Sequence, residues 1–524
     1  MPSPEKRSLT TRAFSGAFWT ASGWGLSTLV QLVFGLAIAR ILGPQVLGIY
    51  AAALVVIRFS NLLGAIGIGP ALVQRRELAE RHIRTGLTMS VALSLVIGLV
   101  AWFGAPVLSD FFRMPDLTRA VRTLAFVFPI RGLCVVPRAL LQRSLGFRRL
   151  AAIEASAYSL GFGIVGVTLA LTGFGLDALI IATLSQAALE LALLSVAQPH
   201  ARRPQFDASA AGELLAYGGG ITLSGLFGFL AFQGDKLVVG RLLGDAALGL
   251  YSRAYSLMST STKLYSKIAA SATFPILSRV QMSSERSQRA LRRGLALNAL
   301  TVLPLSAILF VIAPELIAVL LGSAWSGMTT PFRILVLFLV FRGADKLCGP
   351  FIMSVAKVYR LAWIQAAFAA LVVTGAWAGS HWGGIGGAAA GVAAAIVAHS
   401  LLLLRVSLSL AGSGWVLLVG AWGRPLALAL LAGSVSSALG SYLRSQQSSD
   451  IILVLLVTFA VVLLLGVLLL AWPRLLLGDE LLATFKHAPG FARAQRWMQR
   501  RQASEALEKP PNDPTTTRPS DLIE

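Results

Sequence analysis

Charge is scarce in this chain: Asp, Glu, Lys and Arg together make up 13% of its 524 residues, about half the share of an average soluble domain. With 56% of residues hydrophobic, a soluble enzyme would expose far more apolar surface than an aqueous monomer tolerates, and that class is excluded. Cysteine is rarer still. The two present, Cys134 and Cys348, lie in apolar stretches without CxxC spacing, which argues against a disulfide framework and a zinc site. No metal and no other cofactor is expected. Acidic residues are few, 23 against 45 Lys and Arg, leaving a net charge of +22. Such an excess suits nucleic acid, but basic residues at the ends of apolar runs are better explained by membrane orientation, so no nucleic-acid partner is expected. Long polar connections are also missing, which leaves no room for a separate soluble catalytic domain.

What the chain does have is a series of apolar runs near the length of about 20 residues that a spanning helix needs. The first, Ala13 to Ala39, follows Lys6, Arg7 and Arg12 and is too long for a secretory core of about 7 to 15 residues. Hydropathy places five more between Gln45 and Val196, six between Glu213 and Leu404, and two at Trp415 to Leu439 and Ile451 to Trp472. The expectation is an all-α integral membrane protein of about fourteen transmembrane helices. Arginines cluster in the even-numbered connections, as in Arg75, Arg76, Arg81 and Arg84, then Arg143, Arg148 and Arg149, then Arg202 and Arg203. The positive-inside bias then puts both termini in the cytoplasm. Residues 474–502 mix Phe485, Phe491 and Trp497 with Lys486, Arg493 and Arg496, which suits a basic amphipathic tail on an anionic leaflet. Residues 503–524 read as disordered.

Comparison of the chain with itself gives the most specific signal. ARILGPQVLGIY recurs as GRLLGDAALGLY, so that Arg40, Gly43, Gly48 and Tyr50 correspond to Arg241, Gly244, Gly249 and Tyr251, each displaced by 201 positions. A second match relates Arg131 and Gly132 to Arg342 and Gly343. Six spans separate the copies, which implies two parallel six-helix repeats forming a two-lobed bundle. The expected divisions are 1–205 and 206–411 for the lobes and 412–473 for two extra helices.

The opening SGAFWTASGWGLSTLVQLVFGLAIARILGPQVLGIYAAA, the stretch QGDKLVVGRLLGDAALGLYSRAYSL and GFGLDALIIATL resemble the polysaccharide and lipid-linked-oligosaccharide flippases of the multidrug/oligosaccharidyl-lipid/polysaccharide exporter superfamily. The likeness covers roughly Phe14 to Leu410 and is nearest to exopolysaccharide and O-antigen translocases. It implies a transporter and not an enzyme, in a bacterial inner membrane, which carries a polyprenyl-diphosphate-linked oligosaccharide from the cytoplasmic to the periplasmic leaflet by alternating access. The implied partners are that lipid, the membrane lipids and other polysaccharide-assembly proteins. Two alternatives stay open: a multidrug exporter of the same superfamily, which would favour acidic lumen residues, and a polysaccharide polymerase or ligase, which would carry a large external loop.

Ions at membrane depth are costly and mark candidate sites. YSRAYSLMSTSTKLYSKIAAS holds Arg253, Lys263 and Lys267, which fall within about 80° of one another on a helix, with Tyr255 as an aromatic surface for sugar. In the resembled family the first two helices of each lobe line the cavity, so Arg58 and Asn61 on the repeat-related span would face the same lumen. These six residues are the candidate diphosphate and glycan site. Arg342, Asp345 and Lys346 form a second group, with Asp345 three residues from Arg342 and placed to pair with it. Asp235, beside Lys236, joins that group as an ion-coupling or internal-pair candidate. His399 reads as a satisfied bundle histidine.

Overall fold

The computed structural model describes residues 4–64, 68–75, 77–199, 204–277, 284–354, 358–473 and 476. Every regular element among them is helical. The chain opens with α1, Pro4–Gly64, interrupted at Gly43 (φ 76°, ψ 176°). Pro44 follows there, so a residue that accepts positive φ meets one that cannot donate to the helix ladder. After α2, Ile68–Gln74, comes α3, Glu80–Phe112, which ends on Arg113 in the left-handed region (φ 57°). Pro115 at the first position restarts the chain as α4, Pro115–Leu124. Next are α5, Val127–Arg143, and α6, Phe147–Ser156, which passes through a π-helical stretch, Ala157–Ile164, into α7, Val165–Leu171. The helix α8 is Leu176–Ala197.

A second long helix, α9, Ala208–Leu277, is interrupted at Gly244 (φ 86°, ψ −174°), nearly the same geometry as Gly43. Then follow α10, Ser284–Val311, α11, Ala313–Leu321, a 3-10 turn Ser323–Met328, α12, Thr329–Leu337, and α13, Leu339–Ser354. The helix α14, Val358–Leu410, breaks at Gly383 and Gly384. Its arms lie against each other: a Cβ at Gly379 would strike the Gly387 carbonyl, and one at Gly391 the Gly375 carbonyl. Backbones can approach that closely in a membrane only where both sides are small. The last elements are α15, Val416–Ser445, and α16, Asp450–Ala471.

The expected fourteen spans in two six-helix repeats plus two must be corrected. Among the described residues nine helices are long and apolar enough to cross a membrane, or ten if the pair Ser323–Leu337 and Leu339–Ile352, bent by 46°, counts as one span. Two physical causes separate this from the sequence count. Hydropathy divides the chain wherever glycine and proline suggest a loop, whereas Gly43, Gly244 and Gly383–Gly384 are breaks inside continuous helical runs. The other cause lies in the described part of α9, where Asp235, Lys236, Arg241, Asp245 and Arg253 interrupt the apolar pattern; no segment of it is among the apolar spans found in the described residues. Among the described residues the fold is an all-α membrane fold of about nine or ten apolar spans.

The chain forms two compact units, Met1–Thr458 and Phe459–Glu524. In the first, a continuous apolar core runs from Leu36 and Ile49 through Phe112, Leu248 and Tyr251 to Trp325 and Phe332. Trp325, Tyr251, Phe112 and Phe332 are its largest fully buried side chains. Large apolar residues such as Val100, Phe103, Val419 and Leu430 are exposed, as expected where the solvent is hydrocarbon. In the second unit the end of α16 is similarly apolar, with Phe459 and Val462 exposed.

Candidate functional site

The polar interior is built around the two arms of α9. Asp235 on the first arm is 1% exposed and accepts a hydrogen bond from the Tyr251 hydroxyl on the second at 2.9 Å. Lys236 is buried beside it, donates from Nζ to Gln233 Oε1 at 2.9 Å and lies 5.1 Å from the Tyr255 ring centroid. The Tyr255 hydroxyl in turn accepts from the Arg342 guanidinium. Arg342, on α13, is surrounded by aromatic faces, those of Phe232, Tyr255 and Phe368 at 5.3, 5.8 and 5.7 Å. Rings attract a desolvated guanidinium through their quadrupoles, so this cage holds a cation at membrane depth without a carboxylate.

Asp345, the expected partner of Arg342, is bound elsewhere. Its Oδ1 lies 2.5 Å from the Ser400 hydroxyl and its Oδ2 3.4 Å from His399 Nδ1, both on α14. Lys346, next in sequence, has an exposed side chain.

Arg253 lies two residues beyond Tyr251 on the second arm of α9, about 200° around the helix, and serves a different neighbour. It donates to the Gly35 carbonyl on α1 at 2.8 Å and rests 6.0 Å from the Trp325 ring. The Trp325 indole donates to the Ala39 carbonyl at 3.2 Å. Close by, the π-helical stretch presents Tyr158 and Phe162, stacked at 5.1 Å, and Phe162 lies 6.5 Å from Tyr50. Tyr50 shares a 2.8 Å hydrogen bond with Thr183 on α8. Such π-turns are rare and recur at functional sites.

Arg58 has an exposed side chain and lies within Coulombic range of Tyr50, Tyr255, Arg131 and Asp235. It therefore joins the α1 group to the α9 group. Of the residues singled out from sequence, Arg58, Asp235, Arg253, Tyr255, Arg342 and Asp345 converge on this connected interior. Asn61, Lys263 and Lys267 lie on α1 and α9 but outside the residues whose side chains are described. The tail 474–502 and the terminal 503–524 also lie outside the described residues, Leu476 excepted. Tyr50, Tyr158, Gln233, Trp325 and the aromatic cage were not foreseen. An uncharged aromatic in an apolar run gives no signal of what it faces, although Tyr50 was visible as the repeat partner of Tyr251.

The two copies of the repeated segment pack directly against each other. A Cβ at Gly48 would collide with the Asp245 carbonyl, and one at Gly249 with that of Pro44. The two kinks thus cross with backbone touching backbone. Gln45 Nε2 donates to Asp245 at 3.2 Å across the crossing. The repeat-related arginines secure it: Arg40 donates to the Val319 carbonyl in the last turn of α11 at 2.8 Å, and Arg241 to the Asp110 carbonyl in the last turn of α3 at 3.4 Å. Each guanidinium supplies a donor and a positive charge to a helix C-terminus.

A second set of contacts ties α2, α3 and α5 to the start of α9. Arg143 donates to the carbonyls of Leu72 and Val73 at 3.3 and 3.2 Å and to that of Arg75. Arg75 pairs with Glu213, and buried His82 places Nε2 3.4 Å from the same carboxylate. The hydrogen bond from Arg75 holds the Glu213 carboxyl below its ordinary range. Asp207 caps α9, accepting from the Ala210 amide at 3.0 Å, and that bond lowers its carboxyl likewise.

The model of the polysaccharide biosynthesis protein family matches residues 37–330, more than half of the chain. The chain belongs to that family. It is 24% identical to the lipopolysaccharide biosynthesis protein WzxC of Escherichia coli (strain K12), over 67% of this chain and 72% of that protein. It is 27% identical to the succinoglycan biosynthesis transport protein ExoT of Rhizobium meliloti (strain 1021), over 72% and 74% of the two chains. In fold it is similar to the lipid II flippase MurJ in an inward closed conformation, with a TM-score of 0.73 and 13% identity over 87% of this chain and 99% of that one. An inward-facing MATE family multidrug transporter of the MOP superfamily matches with a TM-score of 0.60 and 16% identity over 74% and 94%. These place the chain among the polysaccharide and lipid-linked-oligosaccharide flippases, as a non-enzymatic, multi-pass transporter of the bacterial inner membrane. Among the described residues no group of three or more His, Cys, Asp or Glu could hold a metal ion.

Proposed function

We propose that this transporter carries the headgroup of a polyprenyl-diphosphate-linked oligosaccharide from the cytoplasmic to the periplasmic leaflet, supplying exopolysaccharide or O-antigen synthesis, with both termini in the cytoplasm. The observation that carries this reading is the surplus of positive charge in the interior. Among the described residues Arg58, Arg131, Arg253 and Arg342 outnumber the carboxylates near them, Asp235 and Asp345. Unbalanced cations at membrane depth are expensive, and a diphosphate offsets that cost while a cationic drug increases it. Arginine adds a planar fork of donors that matches phosphate oxygens, and Tyr50, Tyr158 and Tyr255 offer faces for sugar rings. A polyprenyl tail needs no shelter from hydrocarbon and can remain in the bilayer. The relatives named for lipopolysaccharide and succinoglycan synthesis, and the fold shared with a lipid II flippase, support a substrate of this chemistry.

The direct test is translocation of a fluorescent polyprenyl-diphosphate N-acetylglucosamine in proteoliposomes, read by quenching from outside. Movement above protein-free vesicles is expected, with no change in the lipid's mass. Extension of the glycan would point to a polymerase, and movement of cationic dyes in place of the lipid would point to a drug exporter.

A further inference from the structure

We propose that the π-helical turn Ala157–Ile164 carries the subsite for the sugar bonded directly to the diphosphate, with Tyr158 and Phe162 as the surface that tells a pyranose ring from other polar headgroups. This rests on the proposed carriage of a polyprenyl-diphosphate-linked oligosaccharide and adds to it which ring of the glycan is read. Three aromatic side chains form a series at this turn. Tyr158 and Phe162 stack at 5.1 Å with an interplanar angle of 29°, and Tyr50 follows Phe162 at 6.5 Å and 31°. Tyr158 ends the series, is half-buried, and has no further ring partner among the described residues.

Backbone packing fixes this surface. A Cβ at Gly161 would lie 2.6 Å from the Gln186 Cα on α8, and one at Gly163 would lie 2.5 Å from the Phe34 ring on α1. Two glycines thus seat the π-turn between α8 and α1, so its position does not depend on the aromatic side chains it presents. The Tyr158 hydroxyl donates to the Gln31 carbonyl of α1 at 3.3 Å, which restrains the ring. Four residues along α1, on the same helix face, the Gly35 carbonyl accepts from Arg253 of α9 at 2.8 Å. A ring and a guanidinium from two different helices are therefore anchored side by side on α1, within electrostatic reach of each other.

A sugar diphosphate has the two chemistries that this pairing offers. The phosphate on the anomeric carbon is anionic and suits the planar donors of arginine. The pyranose next to it carries its hydroxyls around the rim and C–H groups on its faces. An aromatic face covers those C–H groups without taking the hydroxyls from water, whereas an acyclic polyol has no flat face to cover. The other tyrosines of the interior are already engaged. Tyr255 has Lys236 and Arg342 against its ring, and Tyr50 stands behind Phe162 with its hydroxyl shared with Thr183. A surface that reads the first ring alone leaves the remainder of the glycan free to vary.

The test compares two lipids of equal charge, farnesyl-diphosphate N-acetylglucosamine and the same lipid with glycerol in place of the sugar. Affinities are measured for the full-length protein in detergent micelles by microscale thermophoresis. Wild type should bind the sugar-bearing lipid roughly fivefold more tightly, the size of one aromatic contact. The Tyr158→Leu, Phe162→Leu double variant should bring the two affinities together, with Tyr158→Leu alone in between. Tyr158→Phe, which keeps the ring and loses the bond to Gln31, should retain most of the preference. The readout is a ratio within one variant, so a smaller folded fraction does not alter it. A preference that survives the double leucine variant overturns the inference, as does a wild type that binds both lipids equally. In both of those cases the diphosphate reading stands, because both lipids bind. If wild type binds neither lipid, the diphosphate reading fails and the sugar subsite falls with it.

Discussion

At the scale of single residues, the arginines of the interior differ in what they already hold. Arg58 has an exposed side chain near the Tyr50 and Tyr255 hydroxyls and Asp235, whereas Arg253 is tied to the Gly35 carbonyl and the Trp325 ring. Their substitutions should therefore separate function from stability. Arg58→Ala should cut lipid-linked sugar export at least tenfold with little change in thermal stability, and Arg58→Lys should rescue only in part because a point charge lacks the bidentate fork. Arg253→Ala should lower both export and stability, as it leaves the carbonyl unpaired and the indole uncovered. Polymer output in a deletion strain, with membrane levels of each variant, reads the first effect, and thermal unfolding reads the second. Full export by the Arg58→Ala, Arg253→Ala double variant would remove both from the substrate site. Tyr251→Phe makes the complementary case. It takes the hydroxyl from a carboxylate that is 1% exposed, which should cost about 1–3 kcal/mol, visible as a lower unfolding temperature at unchanged pH.

At the scale of elements, the crossing of α1 with α9 depends on having no side chain at two points. Gly48→Val or Gly249→Val forces apart backbones that touch. An overpacked core contact costs about 1–3 kcal/mol. The expected readout is a lower unfolding temperature with folded protein still present; an unchanged one would show that the crossing is not closely packed. The start of α9 carries a pH dependence of defined sign. Asp207 and Glu213 both have carboxyls lowered by hydrogen bonds, so their contribution is complete above the unfolded carboxylate range, about pH 4. It is lost as pH falls through the lower folded values. Thermal unfolding in an Asp207→Asn, Glu213→Gln variant should be lower than wild type near neutrality and converge with it in acid. A difference that does not shrink as pH falls would contradict the assignment.

At the scale of the whole molecule, alternating access requires the contacts at the α1–α9 crossing to break and reform. Gln45 and Asp245 are within hydrogen-bond reach across it, so a Gln45→Cys, Asp245→Cys pair should cross-link on oxidation. Export should stop, and reduction should restore it. Both native cysteines are buried and should not compete. Continued export by fully cross-linked protein would mean that this end never opens. Orientation is checked separately: Ser323→Cys, exposed beyond α11, should react with an impermeant maleimide from outside. Arg148→Cys, exposed in the first turn of α6, should react only after the membrane is opened, and the reverse pattern would invert the topology. The sequence alone determined the membrane class, because composition leaves no aqueous alternative. It also showed the duplicated segment with glycines at Gly43 and Gly244, which it took for turns between spans and which the structure shows as breaks inside continuous helical runs. It singled out Arg58 and Arg253 as one lumen-facing candidate pair and Arg342 as a separate ion-pair candidate, because a charge in an apolar run is costly. Only the tertiary structure decided how many helices are apolar enough to span, since continuity through a glycine is a property of the backbone path and not of hydropathy. It alone also decided partners: Asp345 lies three residues from Arg342 yet turns to His399 and Ser400, while Arg342 takes an aromatic cage. Pairing is set by which helix faces meet, and no spacing along one helix records its neighbours.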